Sequence, residues 1–401
     1  MEPPIYDGKI HPNEYVKKMR IYCNLRQITN EQEILKFAIM MIDSTINVPE
    51  NINSFDTLIN ALKNHISFTV FKNSCKRKLQ TLKYVPDYWD DNTVNFITDF
   101  RTLCRDAEIT NIEEQKQYLF NALSYNSFKI QFAKQKNINS MDELIRTFEE
   151  IVSDYSKIIR NGSIIALRHV GTGKYLSSCN KKYSLPNQQQ YQYTNFQDQN
   201  LNYMVYCGDF GPNALWTINN NNIINNNTAV LYRTGNPVYN YYDNANPGPI
   251  KYKSSIQLHH KIFSKYIYTN TFKQSPTSKH FEVCSTDYNN YQLPWSIKHY
   301  HNRDNQGNVK SQDIILLQWN NNNVSSFQSP HNNILPFQNF QCEPIKDIFL
   351  RSHDLKFTVD NENYQEVITH DERVGGNDQW CIELVGSPQK FLADEFAEDL
   401  F

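Results

Sequence analysis

Glycine is nearly missing from the first 160 residues. Of the 12 in the chain, only Gly8 precedes Asn161. Glycine serves where the backbone must turn with positive φ, so this scarcity argues against a turn-rich β fold there and leaves helices. Long apolar runs are missing as well. The longest cluster, Phe37-Ala38-Ile39-Met40-Met41-Ile42, is far too short to span a bilayer. The polar start Met1-Glu2-Pro3-Pro4 has no basic stretch leading into an apolar run. Neither membrane insertion nor secretion is therefore expected, and the expected location is the cytoplasm, with the nucleus as the alternative. None of the 8 cysteines is spaced CxxC, which disfavours zinc ribbons and dithiol redox motifs. In a reducing compartment they read as small buried apolar residues. Net charge is lacking too: 40 Lys+Arg stand against 42 Asp+Glu. The electrostatic footprint of a nucleic-acid binder is absent, and nucleic acid is not an expected partner.

What is present divides at Ile159 to Ser163. The expected domains are 1–160, all-helical; 161–387, all-β; and 388–401, an acidic aromatic tail. Asn30 with Glu33, Thr110 with Glu113 and Ser140 with Glu143 form capping-box pairs ahead of apolar residues at helical spacing, and Ser54 can cap a further helix. Pro49 and Pro86 fall between helical stretches. About eight short helices follow, enough for two small lobes. This half carries 21 basic and 21 acidic residues and has no net sign.

The second half repeats itself three times. One copy runs from Ile165-x-Leu167-x-His169 through Lys174-Tyr175-Leu176 and Met204-Val205-Tyr206 to Trp216-Thr217-Ile218. The next runs from Ile256-x-Leu258-x-His260 through Lys265-Tyr266-Ile267 and Phe281-Glu282-Val283 to Trp295-Ser296-Ile297. The last opens at Ile314-Ile315-Leu316-Leu317, with Gln318-Trp319 where a histidine is expected. It ends at Gln365-Glu366-Val367 and Trp380-Cys381-Ile382. Four strands in each of three copies predict a β-trefoil, whose closure removes sheet edges. Asn/Gln-rich insertions at 180–202, 219–227 and 320–339 are expected to be loops outside the barrel.

Several motifs have a sharp reading and a plain one. Gly171-Thr172-Gly173-Lys174 lacks the flanking residues of a phosphate loop and reads as a two-residue hairpin turn. His259-His260 and His299-Tyr300-His301 have no completing ligands at metal-site spacing. No metal and no cofactor is expected. Trp216, Trp295 and Trp380 precede an apolar Ile in matching places and read as core. Tyr241, Tyr242 and Tyr252 lie outside the repeat pattern and are the candidate ligand-binding residues. A tyrosine ring packs on the apolar face of a sugar while its hydroxyl stays wet. Lys76-Arg77-Lys78 reads as a solvated helix face. No Ser/His/Asp or Cys/His spacing suggests a catalytic centre, so no catalytic residue is assigned.

The stretch His169-Val170-Gly171-Thr172-Gly173-Lys174-Tyr175-Leu176-Ser177-Ser178 resembles the LxHxxTGxYLxS hairpin of the MIR domain, and Gln365-Glu366-Val367 with Trp380-Cys381-Ile382 resembles its ending. That resemblance covers about 220 residues and implies a β-trefoil without catalytic residues of its own that binds or positions partners. Tyr6-Asp7-Gly8, Glu14-Tyr15, Leu79-Gln80-Thr81-Leu82, Val94-Asn95-Phe96-Ile97 and Phe100-Arg101-Thr102-Leu103 are similar to a retrotransposon Gag capsid region. That second resemblance implies a two-lobed, capsid-like domain that self-associates or grips a peptide. Together these give a non-enzymatic scaffold whose trefoil binds a protein or glycan and whose helical half forms a homo-oligomer. A lectin acting through the trefoil loops is the alternative, and an accessory domain of a glycosyl-transfer system comes third.

Overall fold

A computed structural model describes residues 2–85, 92–135, 137–183, 203–220, 248–286, 295–319 and 347–386. The chain divides into two compact units, Met1–Ser156 and Lys157–Phe401. Pro86, Tyr241, Tyr242 and the tail 388–401 lie outside the described residues, as does most of each Asn/Gln-rich insertion.

The first unit is helical: α1 (Pro12–Leu25), α2 (Glu31–Met40), α3 (Phe55–Asn64), α4 (Ile66–Thr81), α5 (Thr93–Asp106), α6 (Ile112–Ala122), α7 (Asn126–Ala133) and α8 (Met141–Ser156). Side chains at the helix starts supply the acceptors that the first turn needs. Asn30 accepts from the N–H groups of Gln32 and Glu33, and Ser54 forms a reciprocal box with Thr57. The cap of α6 is Asn111, one residue beyond the expected Thr110. Tyr6, Tyr15, Met19, Ala38, Leu58 and Leu62 pack α1, α2 and α3 together. Tyr84 meets Phe96 and Phe148 edge-on or tilted at 5.0 and 4.9 Å. Helix α4 touches α3, α5 and α6, and so links the α1–α3 core to the helices that follow within the one unit.

The second unit carries β1 (Ser163–His169), β2 (Tyr175–Ser178), β3 (Tyr203–Gly208), β4 (Trp216–Asn220), β5 (Ser255–His260), β6 (Tyr266–Gln274), β7 (Phe281–Thr286), β8 (Trp295–His299), β9 (Ile314–Trp319), β10 (Ile348–Val359), β11 (Glu362–His370) and β12 (Trp380–Gly386). Alternating residues point inward, so Ile165, Leu167, Trp216, Ile218, Trp295, Ile297, Trp380 and Ile382 share one apolar core. The expected β-trefoil is corrected to a closed barrel. All twelve strands belong to a single hydrogen-bonded sheet, closed through β4, which pairs with both β1 and β5. The hairpins are not three equal, separate caps: they pair with one another as β3–β7, β7–β11 and β3–β11. The second strand of a copy also varies from 4 residues in β2 to 12 in β10, because β10–β11 extends past a register shift at Ser352/Lys356. The connection from β1 to β2 is likewise longer than the expected two-residue turn. His169 and Lys174 face each other across residues 170–173, with Gly173 at φ +71° donating to the His169 carbonyl.

Each copy is tied within itself by the same device, and a ring from another copy packs on the indole. Trp216, Trp295 and Trp380 donate their indole N–H to the carbonyls of Leu176, Ile267 and Leu350 at 2.8, 3.4 and 3.2 Å. His260 stands edge-on to Trp216 and His169 is tilted against Trp380. The position lacking a histidine is filled by Trp319, edge-on to Trp295 at 5.0 Å. An indole has the bulk to replace an imidazole and its bonded turn, so the departure in the third copy keeps the packing and drops the polar link.

Candidate functional site

The buried histidines are the first groups to weigh for chemistry. His169 Nε2 donates to the Asn377 carbonyl at 3.0 Å, and its Nδ1 meets the Thr172 hydroxyl at 2.9 Å. His260 Nε2 donates to the Asn213 carbonyl at 3.0 Å, and its Nδ1 accepts from the N–H groups of Ile262 and Phe263. His370 Nε2 donates to Asp378 at 2.7 Å, and its Nδ1 accepts from the Glu372 N–H at 3.0 Å. All three rings are fully buried. Burial depresses the pKa of His169 and His260. With both nitrogens engaged, none of these rings has a lone pair free to take a proton from a substrate. They tie loops to strands.

Asp378 is the most heavily bonded carboxylate among the described residues of the barrel. It accepts from Arg351 Nε and Nη2 at 2.8 and 3.1 Å, from His370, and from the Gly375 N–H. Burial opposes its ionisation, but these donors outweigh burial and hold its pKa at about 2. No group of His, Cys, Asp and Glu among the described residues is arranged to hold a metal ion.

Of the sequence-predicted ligand residues, Tyr252 is described, and it is 4% exposed within the apolar core. Its hydroxyl donates to Asp313 and its ring stands edge-on to His299. Burial, then the Asp313 hydrogen bond, pushes its pKa far above the usual phenol range. The ring therefore offers no face to a ligand from solvent. Tyr241 and Tyr242 lie outside the described residues.

Another part of the surface gathers aromatic faces and hydrogen-bonding groups. Phe210 is 56% exposed and stands edge-on to the half-exposed Tyr175 at 5.1 Å. The Tyr175 hydroxyl donates to Glu383 Oε2 at 3.1 Å, and Arg168 Nε donates to Glu383 Oε1 at 2.8 Å. Register explains the grouping: Arg168 opposes Tyr175 across β1–β2, while Ala166 and Arg168 oppose Glu383 and Cys381 across β1–β12. Tyr175 in turn opposes Gly208, and Ser177 opposes Tyr206, so these four share a face of β2–β3. A Cβ on Gly208 would come within 2.8 Å of the Tyr206 ring, so glycine makes the floor. Tyr206 continues the surface to Tyr364 at 4.9 Å. There Lys181 bonds both Glu362 and the Tyr364 hydroxyl.

The sequence held a signal for this surface grouping that the repeat pattern obscured. Phe210 sits in Gly208-Asp209-Phe210-Gly211-Pro212. An aromatic ring among turn residues has no strand face through which to reach the core.

No family model matches the chain, and no curated protein matches it. Among solved structures, the chain is similar to the SDF2-like protein from Arabidopsis thaliana, at 18% identity over 56% of this chain and 94% of that one, with a TM-score of 0.35. It is similar to the S. cerevisiae protein O-mannosyltransferase Pmt1-Pmt2 complex bound to the sugar donor, at 11% identity over 81% of this chain and 46% of that one, with a TM-score of 0.37. It is also similar to a Macrolepiota procera ricin B-like lectin in complex with lactose, at 12% identity over 56% of this chain and 98% of that one, with a TM-score of 0.26. These likenesses are weak, and neither ligand nor activity follows from them. No described helix is long and apolar enough to cross a membrane.

Proposed function

We propose that the barrel is a non-catalytic recognition module that binds a glycan on the aromatic surface running from Phe210 and Tyr175 toward Tyr206. One observation carries the reading: an exposed phenyl ring lies against a tyrosine whose hydroxyl shares the Glu383 carboxylate with Arg168. Sugars need both parts of this arrangement. An aromatic face takes the apolar C–H side of the ring, and fixed carboxylate and guanidinium groups take the hydroxyls. The ion pair also holds Glu383 in place before a ligand arrives, which lowers the ordering cost of binding. The MIR-like residues at His169 to Ser178 and Gln365 to Ile382 support a binding role for this half.

A glycan array probed with the full chain, followed by calorimetry on the best binder, tests the proposal. Phe210→Ala is expected to weaken binding at least tenfold without moving the unfolding midpoint. A protein that binds no glycan on the array, or a Phe210→Ala variant that binds as wild type, would remove the reading. The helical unit is proposed to serve as the assembling half. It exposes apolar pairs at i, i+4 spacing, Ile21 with Leu25 on α1 and Ile66 with Val70 on α4. Light scattering that returns a monomer at high concentration would retire that part.

A further inference from the structure

The three copies place small polar side chains at two matching positions inside the barrel. Ser178 opposes Val205, Thr269 opposes Val283 and Ser352 opposes Val367 within their hairpins. Across the junctions between hairpins, Ser285 opposes Tyr203, Thr369 opposes Phe281 and Cys207 opposes Gln365. Each of those three partners stands two residues before the valine of its own strand. Ser178 therefore relates to Ser285 as Thr269 relates to Thr369 and Ser352 to Cys207. All six side chains are buried.

Two of the three pairs are joined. Ser178 and Ser285 are 2.7 Å apart, and Ser178 also donates to the Met204 carbonyl at 3.1 Å. Ser285 must then be the donor between them. Ser352 donates to the Glu366 carbonyl at 2.9 Å, accepts from Gln365 Nε2 at 2.8 Å and is hydrogen-bonded to the Cys207 thiol. The third pair differs. The hydroxyls of Thr269 and Thr369 are each buried with no hydrogen-bond partner in the protein. These residues are 1% and 0% exposed, so bulk solvent does not reach them.

A buried hydroxyl left without a partner pays the full cost of leaving water, and native proteins rarely leave one so. Two such groups stand at equivalent places, where the other copies have a bonded pair. The carbonyl of Glu282 occupies the repeat position from which Met204 and Glu366 accept. Two hydroxyls and one carbonyl give the roughly three partners typical of a buried water. We propose that Thr269 and Thr369 hold an ordered internal water, which completes in the second copy the polar link that the other two make directly. The threonine methyl groups supply the reason: each adds bulk that a serine or cysteine at the same place does not.

Thr269→Val and Thr369→Val test this in the full chain, because valine keeps the side-chain shape and removes the hydroxyl. Unfolding is followed through the fluorescence of Trp216, Trp295, Trp319 and Trp380. Each substitution is expected to shift the unfolding equilibrium toward the unfolded state by about five- to tenfold, the worth of a lost buried hydrogen bond. The double variant is expected to be no worse than either single one, since all lose the same water. An unchanged or more stable single variant would overturn the proposal, because that is how hydroxyls buried with nothing to bond behave. A high-resolution crystal structure gives an independent readout. Density for one water within hydrogen-bond distance of both hydroxyls is expected. A structure with the two hydroxyls bonded to each other, and no density between them, would also defeat it.

Discussion

The helical unit and the barrel solve the problem of buried polar groups differently. In the helical unit nearly every buried side chain is apolar or aromatic, and among the described residues the buried polar ones are His11, Thr93 and Gln115. Helices satisfy their own backbone, and side-chain caps finish the ends. In the barrel the buried set includes His169, Ser178, His260, Glu282, Ser285, Ser352, Glu366, Thr369, His370 and Asp378. Loops connect its short strands, and loop backbone needs partners that sheet pairing does not supply. His169 and His260 meet that need at Asn377 and Asn213, and Glu366 does so by accepting from the N–H groups of Thr277 and Ser278. The helical unit is thus held by volume and the barrel by volume plus a bonded polar frame. The barrel should be more sensitive to the loss of one polar atom, and to pH.

Two carboxylates that each gather several donors give the strongest test. Asp378 in the barrel is fully buried between Arg351 and His370. Asp378→Ala leaves the largely buried Arg351 with Glu372 as its remaining carboxylate and takes the acceptor from the buried His370, and should cost about 3–5 kcal/mol in denaturant unfolding. Glu108 in the helical unit binds Lys63 and Lys72 at 2.5 and 3.1 Å with its side chain 29% exposed. Water can replace those contacts, so Glu108→Ala should cost no more than about 1 kcal/mol. Equal losses would break the comparison.

His260→Phe sharpens it at the next level. The ring volume beside Trp216 is kept, but the Asn213 carbonyl and the N–H groups of Ile262 and Phe263 lose their partners. A cost of about 1–3 kcal/mol is expected by calorimetric unfolding. Trp319, which fills the matching place in the third copy without such bonds, shows that packing alone is tolerated there. A neutral His260→Phe would mean that the polar frame is dispensable.

These contrasts also explain what the sequence could and could not disclose. Helices were legible because their apolar spacing and caps are local, as at Asn30 and Ser54. The repeat was legible because Trp216, Trp295 and Trp380 each recur as Trp-x-Ile at matching intervals. How the copies join was not. The pairings β3–β7 and β3–β11 link residues 80 to 160 positions apart, and no local pattern encodes such a register. The same distance hid the surface grouping, since Glu383 reaches Arg168 and Tyr175 only once β12 lies beside β1. Tyr252 misled because polar, turn-rich surroundings suggested a surface loop. Its neighbour Ile250 is in fact bonded to Ile159 and Val309 and carries the segment into the core.

The pH response separates the two units without any mutation. Glu282 is 3% exposed, and burial raises its pKa from 4.5 to about 7, against a smaller opposing pull from Lys273. The folded barrel keeps that proton where the unfolded chain has released it. The stability it contributes is full below pH 4.5 and is lost as pH rises through about 7. Asp378 acts in the opposite sense: its contribution is present above pH 3.8 and is lost as pH falls through about 2. Between pH 5 and pH 8 Glu282 thus lowers barrel stability, while the buried His169 and His260, whose pKa burial depresses, raise it as pH climbs out of the acid range. Glu282→Gln should remove the falling part and tilt the measured slope toward rising stability (urea titration at each pH); a slope that the substitution leaves unchanged would assign the fall to another group.

The smallest contrast is between two glycines, each placed where a side chain would collide. At Gly8 in the helical unit φ is +81°, and an added Cβ would come within 2.8 Å of the Ser67 Cβ. That atom is fixed to the backbone of α4 and cannot swing away, and the positive φ is itself costly for alanine. Gly8→Ala should lose about 1–3 kcal/mol. At Gly208 in the barrel the obstacle is the edge of the Tyr206 ring, also at 2.8 Å. A ring at the surface can tilt, so Gly208→Ala should cost less than about 1 kcal/mol in unfolding. The tilt would, however, carry Tyr206 away from Asn213 and Tyr364, its partners at 3.4 and 4.9 Å, and lift the floor between Tyr206 and Tyr175. A glycan long enough to reach Tyr206 should then bind more weakly to Gly208→Ala, while one that reaches only Phe210 should not notice. If both lose affinity equally, the binding surface is shorter than the shared face of β2 and β3.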